Sequence, residues 1–162
     1  MLFSVGDFPE IEIKKTEDDQ DVKDRIRSVT PPVVISSSLK AGEQDAFKFS
    51  AAAGQNLVFE VEARRMGSAI DPVIRIRDSN SGELAKNDDA PGIGVDSRVE
   101  MKFPRAGEYR VVVHDSRFSD QEQNFYRLKI GNYLFAESIF PLGGERGKDV
   151  DVTLQGGNLP KP

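Results

Sequence analysis

Apolar residues recur at every second position through most of this chain, and that period constrains the fold more than any other feature, because it marks strands with one buried and one wetted face. In Asp45-Ala46-Phe47-Lys48-Phe49-Ser50 both Phe fall on one side. Leu57, Phe59, Val61 and Ala63 share a face opposite Glu60 and Glu62, and Ile74 and Ile76 turn inward while Arg75 and Arg77 turn outward. The same alternation runs through Val99, Met101 and Phe103, through Tyr109, Val111 and Val113, and through Tyr126, Leu128 and Ile130; Val33-Val34-Ile35-Ser36 and Val150-Asp151-Val152-Thr153-Leu154 supply two further strands. Turn-forming residues separate the runs at Ala53-Gly54-Gln55-Asn56, Asp78-Ser79-Asn80-Ser81-Gly82, Asp88-Asp89-Ala90-Pro91-Gly92 and Pro104-Arg105-Ala106-Gly107. Short strands with regular turns predict an all-β chain, an antiparallel, jelly-roll-like β-sandwich with at most one short N-terminal helix. That helix is expected over Thr16 to Arg27, with Thr16 as N-cap, acids in the first turn, Val22 and Ile26 at i, i+4 and basic residues at the end.

The size and composition fit one core. The chain has 162 residues, 38% of them hydrophobic, with ten Phe and no Trp. Its formal net charge of −5, with no basic run, argues against a nucleic-acid partner, since such binding draws on Lys and Arg neutralising phosphates. The acid is uneven: residues 1–27 hold eight Asp/Glu against five Lys/Arg, and residues 78–96 hold five against one Lys. Those are the places to look for a cation. The absence of cysteine excludes disulfides, thiolate metal sites and a cysteine nucleophile, and leaves the compartment open. No stretch approaches the ~20 apolar residues of a membrane helix, so no membrane insertion is expected. The opening Met1-Leu2-Phe3-Ser4-Val5-Gly6-Asp7 lacks the basic start and apolar run of an export signal, and reads as the beginning of a piece cut from something longer.

With strands and turns in place, the segment from about Val33 to Gly131 resembles the bacterial pre-peptidase C-terminal domain, a β-sandwich related to the collagen-binding modules of clostridial collagenases. The residues that carry this are Gly42-Glu43-Gln44-Asp45-Ala46-Phe47-Lys48-Phe49, Ala53-Gly54-Gln55, Gly67-Ser68-Ala69-Ile70-Asp71-Pro72, Asn87-Asp88-Asp89-Ala90, Asp96-Ser97-Arg98 and Ala106-Gly107-Glu108-Tyr109-Arg110-Val111. The flanks, Phe3 to Glu10 and Phe140 to Leu159, resemble pieces of immunoglobulin-like IPT/TIG repeats, which alternate with this module in large proteins of planctomycete-like bacteria. The resemblance divides the chain into an acidic N-terminal linker (1–30), the sandwich (31–135) and the start of a following Ig-like domain (136–162). A strand cut from its sheet leaves backbone groups open, so the tail is expected frayed, docked on the module or paired with another chain.

What the resemblance implies is a non-catalytic accessory module of a larger exported bacterial protein, secreted, periplasmic or at the cell surface, that binds a protein or carbohydrate or spaces its neighbouring β domains. It also implies calcium, held by an acidic N-terminal segment beside the first acidic strand. Here the ligands would be Glu10, Glu12, Glu17, Asp18 and Asp19 with Glu43 and Asp45. Lys14 and Lys15 interrupt the first group, and each repels a bound cation.

Two rival readings stand beside this one. A hydrolase could use Asp71, Asp88, Asp89 and Asp96 as paired carboxylates or a metal site, although each sits where Asp side chains satisfy turn amides. The other is a propeptide-like segment removed on export. His114 is the only histidine and reads as a strand-end residue; Arg64 and Arg65 read as a strand-end basic pair; the serines at 36–38 have no Gly-x-Ser-x-Gly setting. For a contact role, two outward rows are candidates: Arg110, Val112 and His114, and Arg127 and Lys129.

Overall fold

The computed structural model describes residues 4, 6–15, 26–117 and 124–159. In chain order their strands are β1 (Glu10–Glu12), β2 (Ile26–Ser28), β3 (Val33–Ser38), β4 (Gln44–Ala51), β5 (Asn56–Glu62), β6 (Pro72–Asp78), β7 (Glu83–Asn87), β8 (Arg98–Lys102), β9 (Gly107–Asp115), β10 (Phe125–Gly131), β11 (Phe135–Phe140) and β12 (Thr153–Gly157). A single 3₁₀ turn, Arg64–Met66, is the one helical element among the described residues. Two five-stranded sheets result, β1-β3-β10-β5-β8 and β2-β4-β9-β6-β7, together with a separate pair, β11-β12. Pairing is antiparallel except at one edge of each large sheet, where β1 runs parallel to β3 and β2 parallel to β4.

Alternation decides what lies between the sheets. Ile35, Phe59, Val61, Leu128 and Ile130 come from the first sheet, and Phe47, Phe49, Ile74, Ile76, Val111 and Val113 from the second; all belong to one buried cluster. At its centre Phe49, Phe59, Phe103 and Tyr109 pack ring on ring, with centroids 5.3 Å apart for Phe49 and Phe59 and 4.5 Å apart for Phe103 and Tyr109. The sandwich expected from the sequence is therefore the fold observed.

Three local expectations change. Ile26 and Arg27, expected at the end of a helix, lie in β2, because open edge groups of β4 take them into a ladder that places Ile26 beside Ala46 and Arg27 beside Phe47. Residues 16–25 of that expected helix fall outside the described residues. The late strand expected at Val150 to Leu154 begins instead at Thr153 and ends at Gly157, set by its pairing with β11 from Phe140↔Thr153 to Phe135↔Gly157. An additional edge strand, β7, follows the turn at Ser79–Gly82 and pairs with β6 through a register shift. Its Glu83-Leu84-Ala85-Lys86-Asn87 is too polar to stand out in sequence.

The β11-β12 hairpin docks on the first sheet. The Arg98 guanidinium lies 4.2 Å from the Phe135 ring centroid and its Nη1 sits 3.6 Å from Glu137, while Asn56 Nδ2 donates to Asn158 Oδ1 at 2.9 Å. A Cβ at Gly157 would overlap the Phe135 ring, which would have to shift to admit any other residue there. Because the ring cluster ties both sheets, Phe103→Ala is expected to cost about 3–5 kcal/mol in chemical denaturation. Truncating Phe125, whose ring is partly exposed on β10, should cost far less.

Candidate functional site

Asp45 shares the inward side of β4 with Phe47 and Phe49, so the alternation that builds the core also carries a carboxylate into the end of the sandwich. Only 4% of it is exposed. Its Oδ2 accepts hydrogen bonds from the Tyr126 hydroxyl at 2.6 Å and the Ser37 hydroxyl at 2.9 Å, both from the opposite sheet. Burial, and then the neighbouring Asp45 charge, push the Tyr126 phenol well above its ordinary range, so it stays a donor. Asp45 Oδ1 meets the Lys15 ammonium at 3.1 Å, with Arg27 Nη1 farther off at 3.8 Å.

Lys15 reaches this point because Ile13 N–H donates to Ser36 O, extending the parallel course of β1 along β3. The same ammonium donates to Glu43 Oε2 at 2.9 Å, and that oxygen also accepts the Lys40 N–H at 2.9 Å. Burial raises the Glu43 carboxyl, but the Lys40 amide and the Lys15 charge outweigh it and hold the group below the usual range.

For calcium, which takes six to eight oxygen ligands, the described donors do not fit. One oxygen of Glu43 and one of Asp45 are bridged by an ammonium, and the other Asp45 oxygen is taken by two hydroxyls. Glu10 turns to Arg127 and Ser36; its carboxyl is lowered chiefly by the Arg127 bond, then by Ser36, against burial. Glu12 forms an exposed pair with Lys14 at 3.5 Å. Glu17, Asp18 and Asp19 lie outside the described residues. Among those described, no three His, Asp or Glu gather to hold a metal ion.

Wild-type melting is therefore expected to be the same in millimolar calcium and in chelator. Lys15→Met should cost about 3 kcal/mol, the lower end for breaking a buried pair, since the Glu43 side chain is 25% exposed. A calcium-dependent rise in wild-type melting temperature that Glu43→Gln removes would establish a calcium site here and overturn this expectation.

Two of the loop aspartates, Asp71 and Asp96, are structural ties. Asp96, with no exposed surface, accepts N–H bonds from Ala63 at 3.2 Å and Arg64 at 2.8 Å, which fixes the 3₁₀ turn; Arg65 Nε stands 3.5 Å from it. Asp71 pairs with Arg117 at 3.3 Å, and its N–H donates to Asp115 Oδ1 at 2.9 Å. Asp88 and Asp89 are exposed in their loop, where the Asp89 carbonyl accepts the Asn87 amide.

His114 lies near the end of β9, on the outer side of the second sheet, opposite Gln44 of β4 and Val73 of β6. Burial lowers its pKa first, then the charges of Arg75 and Lys86, with Asp115 opposing and Arg77 adding to the fall. The folded state thus binds a proton less readily than the unfolded chain, whose His titrates near ~6.5. Stability should be lost as pH falls below about 6.5, and His114→Gln should flatten that slope of melting temperature against pH.

The two outward rows expected as contact candidates sit on opposite faces of the sandwich. Arg127 is engaged by Glu62 at 2.6 Å and Glu10 at 3.1 Å, and Lys129 stands 3.7 Å from the Tyr133 ring centroid and 5.3 Å from that of Phe8. In the other row Val112 and His114 are buried and Arg110 is half-buried. Strand register adds neighbours that sequence alone does not place beside Arg110: Lys48 on one side and Arg77 on the other. Their outward alternation was legible, but the pairing of β4 and β6 with β9 was not.

Residues 43–115 match the family described as the bacterial pre-peptidase C-terminal domain. A probable subtilase-type serine protease of Deinococcus radiodurans is 38% identical over 71 residues, covering 43% of this chain and 10% of that protein, so the match spans about a tenth of the relative's length. The crystal structure of the pre-peptidase C-terminal domain of a Bacillus anthracis collagenase superposes with a TM-score of 0.51 at 18% identity, covering 66% of this chain and 95% of that one. At that identity the likeness shows the fold. No helix among the described residues is long and apolar enough to cross a membrane.

Proposed function

We propose that this chain, whose residues 43–115 match the family described as the bacterial pre-peptidase C-terminal domain, is a non-catalytic accessory module of a larger exported bacterial protein, acting by surface contact and tied together by Lys15 rather than by calcium. The observation that carries this reading is the employment of the acidic side chains. Asp71 and Asp96, two of the four aspartates a hydrolase would use as acid and base, are held by a guanidinium and by turn amides, which leaves the exposed Asp88 and Asp89 as the pair the activity test addresses. The relative that the chain matches over a tenth of its length is consistent with a small unit inside a larger chain.

Contact is favoured over pure spacing by an asymmetry between the faces. On the first sheet Arg127, Lys129 and Arg98 already meet Glu62, Glu10, Tyr133, Phe135 and Glu137 from its own strands and chain ends. The outer face of the second sheet has no such cover from another described strand. The chain should show no turnover of peptide or glycan substrates above a blank. Hydrolysis that disappears in Asp88→Asn/Asp89→Asn would overturn this reading in favour of a hydrolase.

A further inference from the structure

The outer face of the second sheet is more basic than a chain of net charge −5 would lead one to expect. Since Phe47, Tyr109, Ile74 and Ile76 point into the core, alternation sends Lys48, Arg110, Arg75 and Arg77 outward. The register lines them up. Lys48 lies opposite Arg110, Arg110 opposite Arg77, and in the adjoining row Arg75 lies opposite Lys86. Each is a like-charge cross-strand pair, an arrangement that destabilises a sheet.

Counter-charge is thin. Glu108 pairs with Lys48 at 3.0 Å, and Glu83, which the register sets opposite Arg77, turns instead to Arg75 at 3.6 Å. Among the described residues Arg77, Arg110 and Lys86 meet no carboxylate. The Nε atoms of Arg75 and Arg77 are buried without a hydrogen-bond partner. The first sheet does the reverse: Arg127 opposes Glu62, Lys129 opposes Glu60, and Glu60 opposes Arg98. The same fold thus neutralises one face and, among the described residues, leaves the other with five cations facing two carboxylates, Glu83 and Glu108.

We infer that this face docks an extended acidic polypeptide, whose carboxylates meet the row Lys48, Arg110 and Arg77 and the adjoining Arg75 and Lys86. The inference deepens the contact role proposed above and rests on it. Guanidinium forks match carboxylates in pairs. Arg75 and Arg77 are two residues apart on one strand, about 6.8 Å, which is also the spacing of same-side carboxylates on an extended chain. The outward positions of β4, β9 and β6 carry no Phe, Tyr or Trp, and their one imidazole, His114, is buried. Such a face lacks the exposed aromatic platform on which single-stranded nucleic acids stack and which packs against the apolar face of a sugar. Its central apolar members, Val73, Val112 and Ala46, are buried, and the exposed Ile26 and Leu84 stand apart on the two edge strands, β2 and β7.

The test is anisotropy of a labelled poly-L-glutamate peptide titrated with the full chain, with polygalacturonate and single-stranded DNA as competitors. Polyglutamate should bind, weaken as salt rises, and lose at least about tenfold in affinity with Arg77→Gln/Arg110→Gln, while Arg105→Gln at the exposed sandwich end leaves it unchanged. The double variant should melt no lower than wild type, because a like-charge pair is removed and most of each stem is kept. Absence of polyglutamate binding, stronger competition by polygalacturonate or DNA than by unlabelled polyglutamate, or full binding by the double variant would each overturn the inference. Hydrolytic turnover, which tests the accessory-module reading, is scored separately and is not touched by these outcomes.

Discussion

The Asp45 carboxylate holds the sandwich at the end where the core stops. A charge this deeply buried is tolerated only if its lone pairs are filled, and the groups that fill them come from three separate stretches: Ser37 on β3, Tyr126 on β10 and Lys15 beyond β1. The two hydroxyls fix how the first sheet sits over β4. Lys15 then brings in the N-terminal stretch, which places β1 along β3 and Glu10 within reach of Arg127. One ammonium serves two carboxylates here, so a single N-terminal side chain ties β4 and the turn before it to the stretch beyond β1.

How much of this was legible follows from what alternation encodes. It states which side of a strand a residue takes, and Phe47, Phe49, Phe59, Val61, Ile74, Ile76, Val111 and Leu128 lie in the core as their period requires. It does not state which strands are neighbours. Tyr126 was legible as a core residue, yet its bond to Asp45 joins positions 81 apart in sequence. Lys14 and Lys15 were legible as intruders among acidic residues; that Lys15 bridges Glu43 and Asp45 needed the parallel pairing of β1 with β3. Edge strands were least legible, because β1, β2 and β7 are short and half-wetted, and their conformation is imposed by the open edge beside them.

The second sheet shows how packing and charge can part company on one surface. Val73, Val112 and Ala46 face outward yet are 2%, 5% and 7% exposed. Their neighbours in the register include Arg75, directly opposite Val112, and Arg110, two residues along β9. Long basic side chains cover apolar surface with their alkyl stems while the charged head reaches water, and the buried Nε atoms of Arg75 and Arg77 are what stems lying along a sheet produce. Packing therefore explains why long side chains stand at these positions. It does not explain their charge, since an uncharged long side chain would cover the valines without setting Arg77 against Arg110. Among the described residues the heads of Arg77, Arg110 and Lys86 are the part of this face that the fold pairs with no carboxylate, and that is the part a partner can use.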